Sequence, residues 1–359
     1  MGTGKQEKRR VVLIGGPSSK RAVFFQKAAD RLGVPVHTVD WEDFTEEFDL
    51  GKLQGAAVKI DPPAYQTVQL CQMQRELKAY HRKLQRLSQA DCHFLNPPEA
   101  IWQMLDKKGA KLRLWAHGVL VTEMFPEEIT STAQLEAVME ARHCYSVFVK
   151  PRYFSGAAGV SAFRLHPKSG SRKLYTSCRL EQGRLINTKR LACMEGNEES
   201  SRLLGHLLSL GCVVERWHPK ADFHGKSYDL RVVFQYGHIA AIVARQSKGP
   251  ITNLHLNNQA LDVGELGLEE GTMEQIALVC QKAYGAFSGC NAQDADGSPD
   301  GISMAGIDLL LEKGTLQPRV IELNGQGDLI YRDIYGENRI YQEQARILSG
   351  AGASCVEFP

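Results

Sequence analysis

The chain has 359 residues, 43% of them hydrophobic and 23% charged, the balance of a soluble globular protein with room for two or three domains. A net charge of +2 provides no basic field for nucleic acid or an anionic membrane, and no apolar run approaches the length of a membrane span. The nine cysteines are scattered without a Cys-x-x-Cys pair, which argues against a disulfide framework or a zinc site and for a reducing cytosol.

Residues 1–10 are polar and basic with no apolar stretch behind them, so they read as a disordered leader and not as a secretory signal. Val11–Ile14 is a buried-type strand, Gly15 to Ser19 turns the chain, and the periodicity over 20–32 predicts a helix. A second strand over 34–39 completes a β-α-β order, hence a small parallel sheet. Gly15-Gly16 lacks the rest of a dinucleotide fingerprint and reads as a tight turn. Residues 65–89 predict a long helix with Leu70, Met73, Leu77, Tyr80, Leu84 and Leu87 on one stripe. Asn96-Pro97-Pro98 marks a boundary.

One helix is expected over 99–116, a strand over 118–121 and a helix over 127–143. A strand then ends in Lys150-Pro151. An ammonium in an apolar strand is costly unless an anion meets it. The turn Ser155-Gly156-Ala157-Ala158-Gly159-Val160 is small enough for backbone amides to approach a phosphate. A hairpin turning at Gln182-Gly183 and a helix over 200–210 follow. Further on, Arg231 and Arg245 lie in strands that are otherwise apolar, where an arginine meets either a phosphate or a carboxylate such as Asp229. A helix is expected over 268–287, an acidic loop over 291–299 and a last helix over 338–348.

The stretch 305–328 carries the strongest signal. It reads as two strands about a turn near Thr315, which places Asp308 opposite Glu322, with Asn324 on the same face. Neighbouring buried carboxylates repel, so such a cluster calls for a hard cation such as Mg²⁺; the alternative from the hairpin alone is solvated acids on its outer face.

Taken in order, these pieces resemble the ATP-grasp superfamily, in its RimK-like and glutathione-synthetase-like branch, over residues 98–348. Asp106-Lys107 looks like the first-lysine helix, Phe148 to Pro151 the second-lysine strand, and 155–160 the glycine loop. Glu215-Arg216-Trp217 stands at the adenine hinge, Asp229 to Arg231 and Arg245 with Asn253-Leu254-His255 follow it, and Asp308, Glu322 and Asn324 are the metal strands. The resemblance implies a mixed α/β and α+β architecture: a small α/β domain at 1–97, a first ATP-grasp lobe at 98–214 with an inserted hairpin, and a second lobe at 215–359. It implies ATP with Mg²⁺ or Mn²⁺ between the lobes. The ligands would be Lys107, Lys150, Gly156, Ala157, Gly159, Glu215, Arg216, Trp217 and Asn253 for nucleotide, and Asp308, Glu322 and Asn324 for metal. Arg231 and Arg245 would be catalytic. The activity implied is carboxylate–amine ligation through an acyl-phosphate, on a small-molecule or peptide acid and an amine. A peptide-modifying enzyme and a non-catalytic ATP-binding protein are the alternatives. A homodimer is the default assembly. The Gly-Ala-Ala-Gly loop, Asn257-Asn258 and Gly325-Gln326-Gly327-Asp328 depart from the family pattern.

Overall fold

The computed structural model describes residues 9–196, 198–256, 258–288 and 301–350. The leader at 1–8, Asn257, Cys290, Cys355 and the acidic loop expected at 291–299 lie outside the described residues. Four short parallel strands open the fold. They are β1 (Val11–Ile14), β2 (Val36–Val39), β3 (Ala57–Ile60) and β4 (His93–Phe94), in the order β2-β1-β3-β4. Helices α1 (Lys20–Arg31) and α2 (Leu70–Leu87) return the chain, as a parallel sheet requires. Ser19 caps α1, its Oγ accepting from Ala22 N at 3.1 Å. The expected apolar stripe of α2 is buried throughout, but the helix is shorter than 65–89. Gln69, before it, bridges instead to Ile186.

The single helix expected over 99–116 is broken in two. α3 (Pro98–Leu105) ends and α4 (Lys107–Ala116) begins at Asp106, whose Oδ1 accepts from Lys108 N and Gly109 N at 3.1 Å each. A carboxylate that caps free N–H groups restarts a helix at that point. The strand expected over 118–121 is reduced to one bridge, Val121 to Val320. α5 (Thr132–Ala141) starts where Ser131 caps it, and not at 127.

An antiparallel sheet follows, built from β5 (Ser146–Pro151), β6 (Ser161–Leu165), β7 (Arg172–Glu181), β8 (Arg184–Glu195) and β9 (Cys212–Arg216). Its order is β8-β7-β6-β5-β9. Gln182 and Gly183 both have positive φ, the conformation of a two-residue hairpin turn. Helix α6 (Glu198–Leu208) covers the sheet with α5, burying Leu203, Leu204, Leu207 and Leu208 beside Val147, Val149 and Phe163.

A second, larger sheet contains β10 (Asp222–Phe223), β11 (Lys226–Gln235), β12 (His238–Ser247), β13 (Gln259–Asp262), β14 (Met304–Leu311) and β15 (Pro318–Asn324). The order is β13-β12-β11-β14-β15, with β10 also paired to β11. Helix α7 (Glu270–Gly285) packs on it, and so do α3 and α4, whose Met104, Ala110 and Leu114 share a core with Leu309, Val320 and Leu323. The chain then runs through α8 (Tyr331–Tyr335) and α9 (Arg339–Leu348) back to the opening domain. There Tyr341 meets Phe25 of α1 edge-on at 6.1 Å. Among the described residues no helix is long and apolar enough to cross a membrane.

The segment Gly325-Gln326-Gly327-Asp328 ties the end of β15 to the opening domain. Asn96 Nδ2 donates to Gly325 O at 2.7 Å, and Gln326 Nε2 donates to Ile60 O at 3.0 Å. A Cβ on Gly306 would lie 2.6 Å from Gly327 O, so β14 and this segment touch backbone to backbone. Asp328 then reaches a buried ion cluster. Its Oδ2 lies 2.7 Å from Lys59 Nζ and its Oδ1 lies 3.0 Å from Arg21 Nη1, while Lys59 also meets Asp61 Oδ1 at 2.6 Å. Removing Lys59 would leave Asp61 and Asp328 buried with half their cations. Lys59→Met is therefore expected to cost about 3–5 kcal/mol, read as a lower urea midpoint; an unchanged midpoint would show that the cluster does not hold the domains together.

Candidate active site

The larger sheet sets one row of charges by register alone. Asp229 pairs with Arg245, Arg231 with Asp308, and Asp308 with Glu322. Directly paired residues point to the same face, so these side chains and Asn324 share one side of the sheet. The contacts follow the register. Arg231 grips Asp308 with two N–H groups, Nε to Oδ1 at 2.5 Å and Nη2 to Oδ2 at 3.1 Å. Arg245 donates through Nε to Asp229 Oδ1 at 2.7 Å and also meets Asp308 Oδ2 at 3.1 Å. Of the two partners open to each arginine, a phosphate or a carboxylate, both Arg231 and Arg245 meet a carboxylate. Asp229 takes Lys220 at 3.2 Å as well, and Lys220 donates to Thr252 Oγ1 at 2.6 Å. Burial would raise Asp229, but Arg245 and Lys220 hold it far below the ordinary aspartate range.

The facing wall comes from α4 and the smaller sheet. Lys150 Nζ donates to Glu215 Oε2 at 2.9 Å, along the ladder diagonal that places Phe148 opposite Glu215. Lys111 meets the same oxygen at 3.2 Å and Thr122 Oγ1 donates to it at 2.8 Å. Burial works against the Glu215 charge, yet Lys111 and Lys150 pull the group down to about 2. Glu215 is thus the centre of a buried lysine pair as well as part of the expected hinge. Lys107 donates to Phe154 O and faces Glu322 Oε2 across 3.9 Å. Burial lowers Lys107, against the pull of Glu322. For Glu322 burial is outweighed by Lys107 and Lys150, and the group is held below the ordinary glutamate range.

One cavity collects Lys107, Lys150, Ala157, Glu215, Arg216, Lys220, Asp229, Arg245, Asn253, Asp308 and Glu322. Arg216 reaches Glu123 at 2.6 Å. Trp217 lies outside the cavity: its ring stands 5.3 Å from Phe148 and the Arg164 guanidinium sits 4.0 Å above it, so the side chain belongs to sheet packing. Gly156 lines a second, larger cavity of about 620 Å³, together with Arg231 and Asn324. The two cavities share Arg245, Asn253 and Glu322. The glycine loop is closely held. A Cβ on Gly159, at φ +73, would lie 2.6 Å from Pro151 Cγ, so no other residue fits. Its amide faces Asn187 Oδ1 at 3.4 Å and that of Ala158 bonds Ser155 O, which leaves fewer amides for a phosphate than the loop sequence suggests.

The residues suit a magnesium ion. Glu322 and Asn324 are two apart on one face, and Asn324 Nδ2 is buried without a hydrogen-bond partner; a half-turn of the amide presents its oxygen there. Asp308 already accepts three guanidinium contacts, which leaves about one lone pair of the roughly four on a carboxylate. One or two carboxylates plus phosphate oxygens is the set that Mg²⁺ prefers. Sequence reasoning missed Lys111, Lys220 and Thr252. Lys111 was detectable, since it lies four residues after Lys107 on one helix face. Lys220 stands in an irregular stretch with no periodicity to mark it.

No family model and no curated protein matches the sequence. Solved structures do match. The crystal structure of the D-cycloserine synthetase DcsG superposes with a TM-score of 0.61 at 17% identity, over 94% of this chain and 99% of that one. The ATP-grasp ligase PsnB, in complex with a minimal precursor, gives 0.54 at 14% identity, over 96% and 100%. The macrocyclase MdnC of Microcystis aeruginosa MRC, bound to its precursor peptide MdnA, gives 0.56 at 12%, over 95% and 99%. The PsnB ligase has also been solved with Mg and ADP. From end to end, with its charged cleft between two sheets, the chain has the ATP-grasp fold.

Proposed function

We propose that the chain is an ATP-dependent carboxylate–amine ligase. One observation carries this reading. Lys107, Lys111, Lys150, Lys220, Arg231 and Arg245 are ion-paired with four carboxylates, Glu215, Asp229, Asp308 and Glu322, and all of these groups but Lys111 line the connected cavities. The formal excess of two positive charges suits a magnesium–nucleotide complex, which brings roughly two negative ones.

In this reading Lys107 and Lys150 grip the phosphates, and Lys111 with Glu215 holds Lys150 in place. Glu322, Asn324 and the remaining lone pair of Asp308 hold the magnesium ion. Bound MgATP supplies the γ-phosphoryl group: a carboxylate oxygen takes it, ADP leaves, and an amine nitrogen then displaces phosphate to form the amide. Phosphoryl transfer asks for positioning and charge neutralisation more than for a protein nucleophile. Arg245 stands where the cavities meet, Arg231 lines the larger one beside it, and both face the charge that builds on the transferring group and on the tetrahedral carbon. The larger cavity holds the acid and the amine; at about 620 Å³ it has the size of a small-molecule site.

A peptide substrate is the second reading. The larger cavity is walled by the opening domain and admits a side chain from an extended segment. PsnB and MdnC, of the same fold, have been solved with precursor peptides. A pull-down with candidate leader peptides separates the two readings. A non-catalytic nucleotide-binding protein would not need the Arg231–Asp308–Glu322 row, which is intact.

The test is an ADP-release screen of acid–amine pairs with mass detection of the condensed product. With an active pair, Glu322→Gln and Asp308→Asn are each expected to lower turnover by about 10²-fold or more; wild-type turnover in both variants removes the metal assignment. Lys150→Ala is expected to weaken MgATP binding by about tenfold or more, measured by calorimetry. The pH dependence has a definite sign. Burial pulls Lys111 down to about 8 although Glu215 favours its cation. Above that pH Lys111 loses its proton, Glu215 is left to Lys150, and the grip on phosphate weakens. MgATP affinity should fall above about pH 8 by up to about tenfold per unit for one coupled proton. Lys111→Met should flatten that fall, and a flat wild-type profile would contradict it.

A further inference from the structure

Arg21 lies far in sequence from every motif above, yet it lines the larger cavity, its side chain 21% exposed. It stands in the first turn of α1 beside Lys20, with no acid there. Cations at that end oppose the helix dipole, so helix stability does not account for the residue. Its Nη1 donates to Asp328 Oδ1 at 3.0 Å. An arginine carries five N–H donors in a fixed fork, so this pairing leaves donors for a second acceptor. Asp328 does not depend on Arg21 alone, because Lys59 holds its other oxygen at 2.7 Å. Asp61 pairs with Lys59 through Oδ1 at 2.6 Å, and its Oδ2 is buried without a hydrogen-bond partner.

Arg21 is close to the catalytic corner. Arg231 Nη1 stands 3.0 Å from where a Cβ on Gly327 would be, and Arg21 bonds the next residue, Asp328. Neighbouring Cα atoms are about 3.8 Å apart and an aspartate oxygen reaches about 3.6 Å from its Cα, so the two Nη1 atoms lie within about 15 Å at the outside. The cavity walls also carry Trp41, Leu77, Tyr80 and Ile330. The other charged side chains that line it have partners of their own: Lys83 donates to Trp41 O, Arg332 pairs with Asp262, Glu76 accepts from Gln66 N and Glu265 from Asp262 N. Guanidiniums at two separated points, with apolar and aromatic wall between the paired charges, match a molecule with an anion at each end and a carbon body between.

We propose that Arg21 is a second anion anchor and that the acid substrate is two-ended, with one carboxylate at Arg231 and Arg245 for activation and another held by Arg21. This rests on the ligase reading, since it takes the reacting carboxylate to the Arg231 end. The test is calorimetric titration of the full chain, in MgADP, with unbranched dicarboxylates from succinate to suberate and with the matching monocarboxylates. We expect one length of dicarboxylate to bind at least tenfold more tightly than its monocarboxylate. Arg21→Gln should erase that preference, and Arg21→Lys should keep part of it. MgATP affinity should be unchanged in both variants, which also reports that they fold. No dicarboxylate preference in the wild type, or a preference that survives Arg21→Gln, overturns the inference; with MgATP binding intact, the ligase reading stands. A wild-type chain that binds neither MgATP nor any dicarboxylate overturns both. Should Arg21→Gln fail to fold, the wild-type series and Arg21→Lys decide.

Discussion

The interaction on which the rest depends is the run of paired charges across four adjacent strands, from Arg245 through Asp229, Arg231 and Asp308 to Glu322. Charges removed from water are tolerated only where each is met by an opposite charge with good geometry. β-sheet register meets that demand by holding partners rigidly opposite each other. The row is therefore preorganised, and in the proposed function its groups need no rearrangement for a polyanion. That is the property that makes electrostatic stabilisation effective.

Around this row the other parts take definite places. The smaller sheet and α4 bring lysines from the opposite side, and one glutamate, Glu215, joins two of them, Lys111 and Lys150. The opening domain is not a separate appendage. It walls the larger cavity and, through Lys59 and Asp328, is fastened to the residues that follow β15. The charged cleft lies between the two antiparallel sheets, the opening domain walls the larger cavity beside it, and the two cavities share Arg245, Asn253 and Glu322.

Much of this could be read from the residues in order. Alternation within 305–328 was enough to place Asp308 opposite Glu322, because strand period and turn position leave little freedom. The apolar stripe of α2 and the out-of-place Lys150 were equally legible. What stayed hidden has two causes. Asp106 carries a cap that splits one helical pattern into two, and residues 118–121 look like a strand but find a partner at only one position. The ion cluster of Arg21, Lys59, Asp61 and Asp328 joins positions up to 307 residues apart, and no local pattern announces such a meeting. Gly325-Gln326-Gly327-Asp328 stood out as unusual, but its reason, a backbone pressed against Gly306, is visible only in three dimensions.

That pressed backbone limits how such a protein can diversify. Where Gly306 and Gly327 meet, neither residue can gain even a methyl group without parting β14 from its neighbour. The wall of the larger cavity that Gly327 forms is therefore inelastic. In the proposed function a longer or bulkier acid would have to find its room elsewhere in that cavity, away from β14 and the charged row it carries.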